Sequence, residues 1–241
     1  MRLKPLTLAV AGLASLLISG AALAQKKYDP GADDKEIRIG AIHPYSGPAS
    51  AYGTIGKAMG AYFDKINAEG GINGRKINFI SYDDAYSPPK AVEQTRKLVE
   101  NDEVLLVFQA LGTASNGAVQ KYMNAKKVPQ LFVATGASKF GDPRTYPWTM
   151  GWQPTYKNEG RIYAKYILAK HPGAKIAVLF QNDDSAKDSL AGLREELGDL
   201  LRRRASDLRD VATRLLRNLD ADSVRGAVAP TGPYILAARK L

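Results

Sequence analysis

EIRIGAIHPYSGPASAYGTIGKAMGAYFDKINAEGGINGRKINFISYDD, residues 36–84, switches its hydrophobic period twice. Glu36–Ile42 alternates and is rich in isoleucine, which predicts a buried first strand. Ser46-Gly47-Pro48 breaks it. Across Ala51–Glu69 the residues Ile55, Met59, Tyr62, Phe63 and Ile66 recur at helical spacing, which predicts a helix with a core-facing stripe. Gly70-Gly71 ends that helix, because glycine tolerates the left-handed conformation of a C-terminal cap. Asn73-Gly74 then marks a tight turn into a second strand, Lys76–Tyr82.

The same alternation continues outward. Pro88-Pro89 starts a helix carrying Val92, Thr95, Leu98 and Val99, with Pro89 suited to its first turn. Val104–Phe108 is a continuous apolar run, as expected of a strand covered on both faces. A helix over 115–125, a strand at Gln130–Ala134, a segment Pro147–Trp152, a helix over 156–170 and a strand at Ala174–Phe180 follow, and Asn182–Asp184 leads into a further helix. Strand and helix alternating in this way predict an α/β fold with a parallel sheet flanked by helices. Ligands of such sheets lie beyond the carboxyl ends of the strands. The loops His43–Tyr52, Asp83–Ser87, Gln109–Ser115, Thr135–Ser138 and Gln181–Ser185 therefore hold the candidate site. Most are rich in small or hydroxyl residues, and each feeds a helix N-terminus, where free N–H groups favour an anion.

Composition narrows the chemistry. The 241 residues contain no cysteine, which excludes disulfide scaffolds, cysteine-zinc sites and thiol catalysis. His43 and His171 are the two histidines, too far apart in sequence to suggest a paired metal site. The net charge of +10 is spread along the chain, and no basic stripe interleaved with aromatics points to nucleic acid before residue 200. Arg2 and Lys4, the apolar stretch Leu6–Ile18 and the small residues of Ala22-Leu23-Ala24 form the three parts of a secretory leader. Residues 1–24 are accordingly expected to be a signal peptide, Gln25 the mature N-terminus, and the destination the periplasm of a Gram-negative bacterium or the cell exterior. The apolar stretch is shorter than the ~20 residues that span a bilayer.

Sharper chemical readings compete with plainer ones. Asp83-Asp84 could be a metal or acid–base pair, but a strand-end pair that caps the next helix is favoured, since Asp183-Asp184 repeats the pattern. Gly53, Gly56 and Gly60 fall inside the first helix rather than in a dinucleotide-binding turn, so close helix packing is expected of them. Ser115 lies outside any G-x-S-x-G elbow, and no phosphate-binding GK[ST] loop occurs. His43 at a strand end is expected to be structural or at a pocket rim. Tyr45 and Tyr52, on one loop, suit either a ligand cleft or packing within the domain.

Tyr45-Ser46-Gly47-Pro48 with Tyr52-Gly53, then Asn67-Ala68-Glu69-Gly70-Gly71-Ile72-Asn73-Gly74-Arg75, then Asp83-Asp84, resemble the type I periplasmic binding proteins of ABC transporters, in the leucine/isoleucine/valine-binding branch. The resemblance runs from about Lys35 to about Gly198. It implies two α/β lobes joined by crossover strands, closing on a small ligand and delivering it to a membrane permease, with no enzymatic activity and no cofactor. Carried over by motif, the ligand contacts fall on Tyr52, on Leu111, Gly112 and Thr113, and on Gly136, Ala137 and Ser138. A serine common among relatives aligns with Gly112, which offers only backbone. Ser138 would hold the polar head of the ligand, and Tyr52 its side chain. The expected partners are an amino acid or small carboxylate and the permease subunits of an ABC importer, with no nucleic acid, and the protein is expected to be a monomer.

The resemblance also implies a division into a first lobe over 25–152 and the start of a second over 153–199. Relatives often carry an aromatic and a glycine where this chain has Ser185-Ala186. Beyond that point the usage of cations changes: residues 1–190 hold 18 Lys and 6 Arg, residues 191–241 hold 1 Lys and 9 Arg. Residues 200–241 are therefore read as an aberrant, arginine-rich tail, either frameshifted or a basic amphipathic helix, with 227–241 irregular. With much of the second lobe replaced, weak or absent ligand binding is expected. The alternative function is a periplasmic sensing or receptor module acting through a protein partner.

Overall fold

The computed structural model describes residues 28–180, 182–198 and 234–238. The expected leader and cleavage point and most of the arginine-rich tail lie outside the described residues.

β1 (Glu36–His43) pairs in parallel with β2 (Lys76–Asp83) along its whole length, from Glu36 opposite Lys76 to His43 opposite Asp83. The helix between them, α1 (Gly53–Ala68), ends at Gly70 and Gly71, both with positive φ. Asn73 and Gly74 also have positive φ, and Ile72 and Arg75 exchange two hydrogen bonds around them, the geometry of a tight two-residue hairpin turn. β3 (Leu106–Phe108), β4 (Gln130–Val133) and β5 (Thr149–Gly151) complete a five-stranded parallel sheet in the order β2-β1-β3-β4-β5. α2 (Pro88–Arg96), extended by a wide turn over Lys97–Asn101, and α3 (Thr113–Lys126) connect its strands.

One face of this sheet makes the main core: Ile42, Val107 and Ala110 meet Ala91 and Leu98 from the α2 side and Val119 and Met123 from α3. The other face is aromatic. Phe63 of α1 packs on Phe79 at 5.2 Å between ring centroids and on Phe108 at 6.1 Å, and Phe108, Phe132 and Trp152 continue edge to face. Ile55, Met59, Phe63 and Ile66 are half-buried there as the spacing predicts, but Tyr62 is 59% exposed and belongs to the solvent side. One sheet face needs only a narrow stripe from α1, and Tyr62 falls outside it.

Gly53 and Gly56 meet the expectation of close packing: a Cβ on Gly53 would lie 2.9 Å from the Pro44 carbonyl oxygen, and one on Gly56 would overlap the Tyr45 hydroxyl. Gly60 does not, since its nearest neighbour, Phe79, is at an ordinary 3.7 Å.

α4 (Tyr156–Lys170) and α5 (Asp184–Leu197) cross closely on the side of a separate strand, β6 (Lys175–Leu179). Ala164, Leu193 and Leu197 are buried there against Ile176, Val178 and Leu190. β6 pairs in antiparallel register with β7 (Tyr234–Ala238). The expectation that 227–241 is irregular is corrected for these five residues, because pairing with the β6 backbone supplies hydrogen bonds that the Pro and Gly upstream do not prevent.

Among the described residues, no helix is long and apolar enough to cross a membrane.

Candidate functional site

The carboxyl ends of β1, β3 and β4 are adjacent, because β1 neighbours β3 and β3 neighbours β4. Leu111 bridges in parallel to Ala134, and the Gly112 N–H donates to the Ala134 carbonyl at 3.3 Å. The Thr113 and Thr135 hydroxyls lie 2.6 Å apart, and the Ala137 N–H donates to the Thr135 hydroxyl at 3.2 Å. Leu111, Gly112 and Thr113 are thereby held beside Gly136, Ala137 and Ser138. Tyr52 stands one strand away, on the turn Ser50–Tyr52 that follows β1, and is half-buried.

A buried polar network fixes the Gly112 loop. The Asn116 side-chain amide donates to the Ala110 carbonyl at 2.7 Å and to the Gly112 carbonyl at 2.8 Å. Its oxygen accepts from Gln130 at 2.8 Å, and Gln130 accepts in turn from the Thr149 hydroxyl at 3.2 Å. Asn116 and Gln130 have no exposed surface, so each hydrogen bond offsets a desolvation cost that would otherwise stand. Gly112 has φ +102°, and a Cβ there would come within 2.7 Å of the Tyr86 ring. That ring occupies the space a serine would need. Gly136 is held just as closely: its carbonyl accepts from the Tyr156 N–H at 2.8 Å, and a Cβ would lie 2.6 Å from the Pro154 carbonyl oxygen.

The acidic pair at the end of β2 shapes loops. Asp83 accepts from the Tyr45, Ser46 and Ala85 amides and from the Ser46 hydroxyl. Burial works to raise its pKa, but those hydrogen bonds outweigh it and hold the carboxyl below its ordinary value. Asp84 is buried and accepts from the Ser115 hydroxyl at 2.7 Å and the Tyr86 amide at 3.0 Å, and here burial wins and pushes the pKa up. Asp183 caps α5 by accepting from the Ser185 and Ala186 amides. Asp184 pairs with Lys139 at 3.1 Å, and that contact first of all keeps its pKa low. Among the described residues no group of three or more acidic or histidine side chains is placed to hold a metal.

Tyr45 resolves toward packing, with its hydroxyl 2.6 Å from that of Ser81 and its ring against Gly53 and Gly56. His43 is fully buried beside it, neither ring nitrogen has a hydrogen-bond partner, and burial lowers its pKa to about 4.

Ser138 is exposed, and it is engaged. Its N–H donates to Asp188 Oδ2 at 2.6 Å and its hydroxyl to Asp188 Oδ1 at 2.9 Å, joining the end of β4 to α5. Between these elements lies a cavity of about 310 Å³ lined by Thr113, Ala114, Gly117, Ala118, Lys139, Asp183 and Asp184. Of the seven expected contacts, Thr113 alone lines this cavity; Tyr52, Leu111, Gly112, Gly136, Ala137 and Ser138 do not. The Thr113 hydroxyl is shared with Thr135, and the one cation of the lining, Lys139, is paired with Asp184, so the cavity presents small apolar residues and carboxylates with a neutralised lysine. Tyr86, Lys139 and Asp188 were not singled out by sequence. Tyr86 lay within a strand-end loop already marked, whereas nothing local marks Lys139 or Asp188.

The family described as "Periplasmic binding protein" matches residues 36–200. The Leu/Ile/Val-binding protein of Escherichia coli (strain K12) is 30% identical over 172 residues, covering 70% of this chain and 43% of that protein. A crystal structure of the branched-chain amino acid transporter substrate-binding protein of Streptococcus pneumoniae, in complex with isoleucine, is 25% identical, with TM-score 0.57 over 67% of this chain and 47% of its own. A possible leucine/isoleucine/valine-binding protein from Rhodopirellula baltica shares the fold at 24% identity and TM-score 0.58, over 70% of this chain and 46% of its own. The chain spans less than half the length of these relatives.

Proposed function

We propose a solute-capturing role for this chain, which belongs to the periplasmic binding protein family, in its leucine/isoleucine/valine-binding branch. The solute is a branched-chain amino acid or a related small carboxylate. It is taken at the carboxyl ends of β1, β3 and β4, by Leu111–Thr113 and Gly136–Ser138, with Tyr52 against the solute's side chain. Residues 25–152 act as the first lobe and 153–199 begin the second, the leader 1–24 directs export to the periplasm, and the monomer passes its solute to an ABC permease. No bond of the solute is made or broken.

One observation carries the reading: the two donors of Ser138 converge on a single carboxylate, that of Asp188. A residue that grips one carboxylate at two points can grip another of the same shape. The relatives supply the class of solute, since the pneumococcal protein is described in complex with isoleucine. Capture is impaired in this chain, because Ser138 is already engaged.

The test is a titration of leucine, isoleucine, valine and acetate into the purified chain, followed by backbone amide resonances. Shifts of Thr113, Gly136 and Ser138 with saturation are expected. Shifts confined to other regions would reject the site.

A further inference from the structure

We propose that Asp188 is an intramolecular competitor for the solute's carboxylate, so that a solute reaches Ser138 only by displacing it. The proposal rests on the reading of Ser138 as a solute contact, and adds an internal occupant that regulates the same site.

Four features support it. Both carboxylate oxygens of Asp188 are used, each by a different donor of one residue, which is how an amide and a hydroxyl together bind a free carboxylate. The contact joins positions fifty residues apart, from the end of β4 to α5, so it is not a local turn closing on itself. α5 is positioned independently of it, through buried Ser185, Ala186, Ser189, Leu193 and Leu197. Among the described residues no Lys or Arg pairs with Asp188 and Ser138 is its hydrogen-bonding partner, so no buried ion pair locks it in place.

The neighbouring Lys139–Asp184 pair is a second tether between the same elements, but its side chains are 37% and 47% exposed, and such pairs contribute little. Releasing Asp188 is therefore the main step in freeing Ser138. A site open in only a fraction of molecules shows an affinity reduced by that fraction. The device favours solutes whose own carboxylate can replace the one withdrawn, and penalises neutral ones.

The experiment titrates leucine, and separately acetate, into the full chain, Asp188→Ala and Asp188→Asn, following the Ser138 amide. Amide exchange at Ser138 is measured without solute. Asp188→Ala is expected to bind leucine about tenfold more tightly than the unaltered chain, with Ser138 amide exchange about tenfold faster, in keeping with loss of a charge-assisted contact. Asp188→Asn, which keeps one acceptor and the shape, falls between, and carries the test if the alanine variant fails to fold. Equal or weaker leucine binding by both Asp188 variants, with Ser138 still shifting, overturns the competition and leaves solute capture standing. Binding of neither probe by any variant, despite faster Ser138 exchange, overturns both.

Discussion

The backbone of Gly192 on α5 lies so close to the Lys157 carbonyl on α4 that a Cβ would overlap that oxygen. Gly160 repeats the contact from the other helix, against the Ser189 carbonyl. Two glycines thus set the distance at which α4 and α5 cross, and so the placement of Asp188 over Ser138. Gly192→Ala is expected to destabilise the chain by about 1–3 kcal/mol, the usual cost of overpacking, and to weaken the Ser138–Asp188 contact. Urea unfolding and Ser138 amide exchange measure the two effects.

Asn116 links the Gly112 loop to Gln130 and Thr149 inside the protein. Asn116→Ala takes the main acceptor from the buried Gln130 amide, at about 1–3 kcal/mol for a buried group left unsatisfied, while the Ala110 and Gly112 carbonyls keep the Ala134 and residue 116 N–H donors. The expected outcome is a lower urea midpoint together with faster exchange through residues 110–113.

Gly112→Ser would introduce the serine that the family resemblance aligns with this position, and it is expected to destabilise the chain. The positive φ and the Tyr86 ring both oppose a side chain there. Combining it with Tyr86→Ala should recover part of the lost stability, measured by the difference between their thermal midpoints. Equal losses in the single and double variants would contradict the steric account.

His43 makes stability depend on pH. Its pKa falls from an ordinary 6.5 to about 4 because the buried ring has no partner to stabilise its charge. The unfolded chain therefore binds the proton more readily than the folded one, and folding stability falls as pH drops from about 6.5 toward 4. The His43 contribution is fully present above pH 6.5, and the loss is on the order of 3 kcal/mol. His43→Leu is expected to flatten the unfolding free energy across that window, whatever its effect at neutral pH. An unchanged slope would contradict the assignment.

Much of the fold was legible because burial imposes a period. The alternation in EIRIGAI and the glycines at 70, 71 and 74 correspond to a strand and to turns with the required φ, while of the apolar run Val104–Phe108 only Leu106–Phe108 forms the strand. Tyr62 misled because an aromatic at helical spacing looks like core whichever side of the stripe it occupies. Tyr234–Ala238 misled because a strand formed by pairing at an existing edge depends on β6, not on its own flanks. At the site, the loops were legible from the strand–helix alternation, which marks the carboxyl end of each strand. The pairing of Ser138 with Asp188 was not, since no local pattern joins a serine to a carboxylate fifty residues on.

The most direct measurement is calorimetric titration of leucine into the unaltered chain, into Asp188→Ala, and into the double variant Asp188→Ala with Ser138→Ala. Solute capture at Ser138 predicts weak but saturable binding by the unaltered chain. Where Asp188 no longer holds the hydroxyl in the free state, it predicts an affinity lower by about tenfold in the double variant than in Asp188→Ala, the scale of losing a hydrogen bond to a charged group. Leucine binding of equal strength in those two variants, or micromolar affinity in the unaltered chain despite an engaged Ser138, would contradict it.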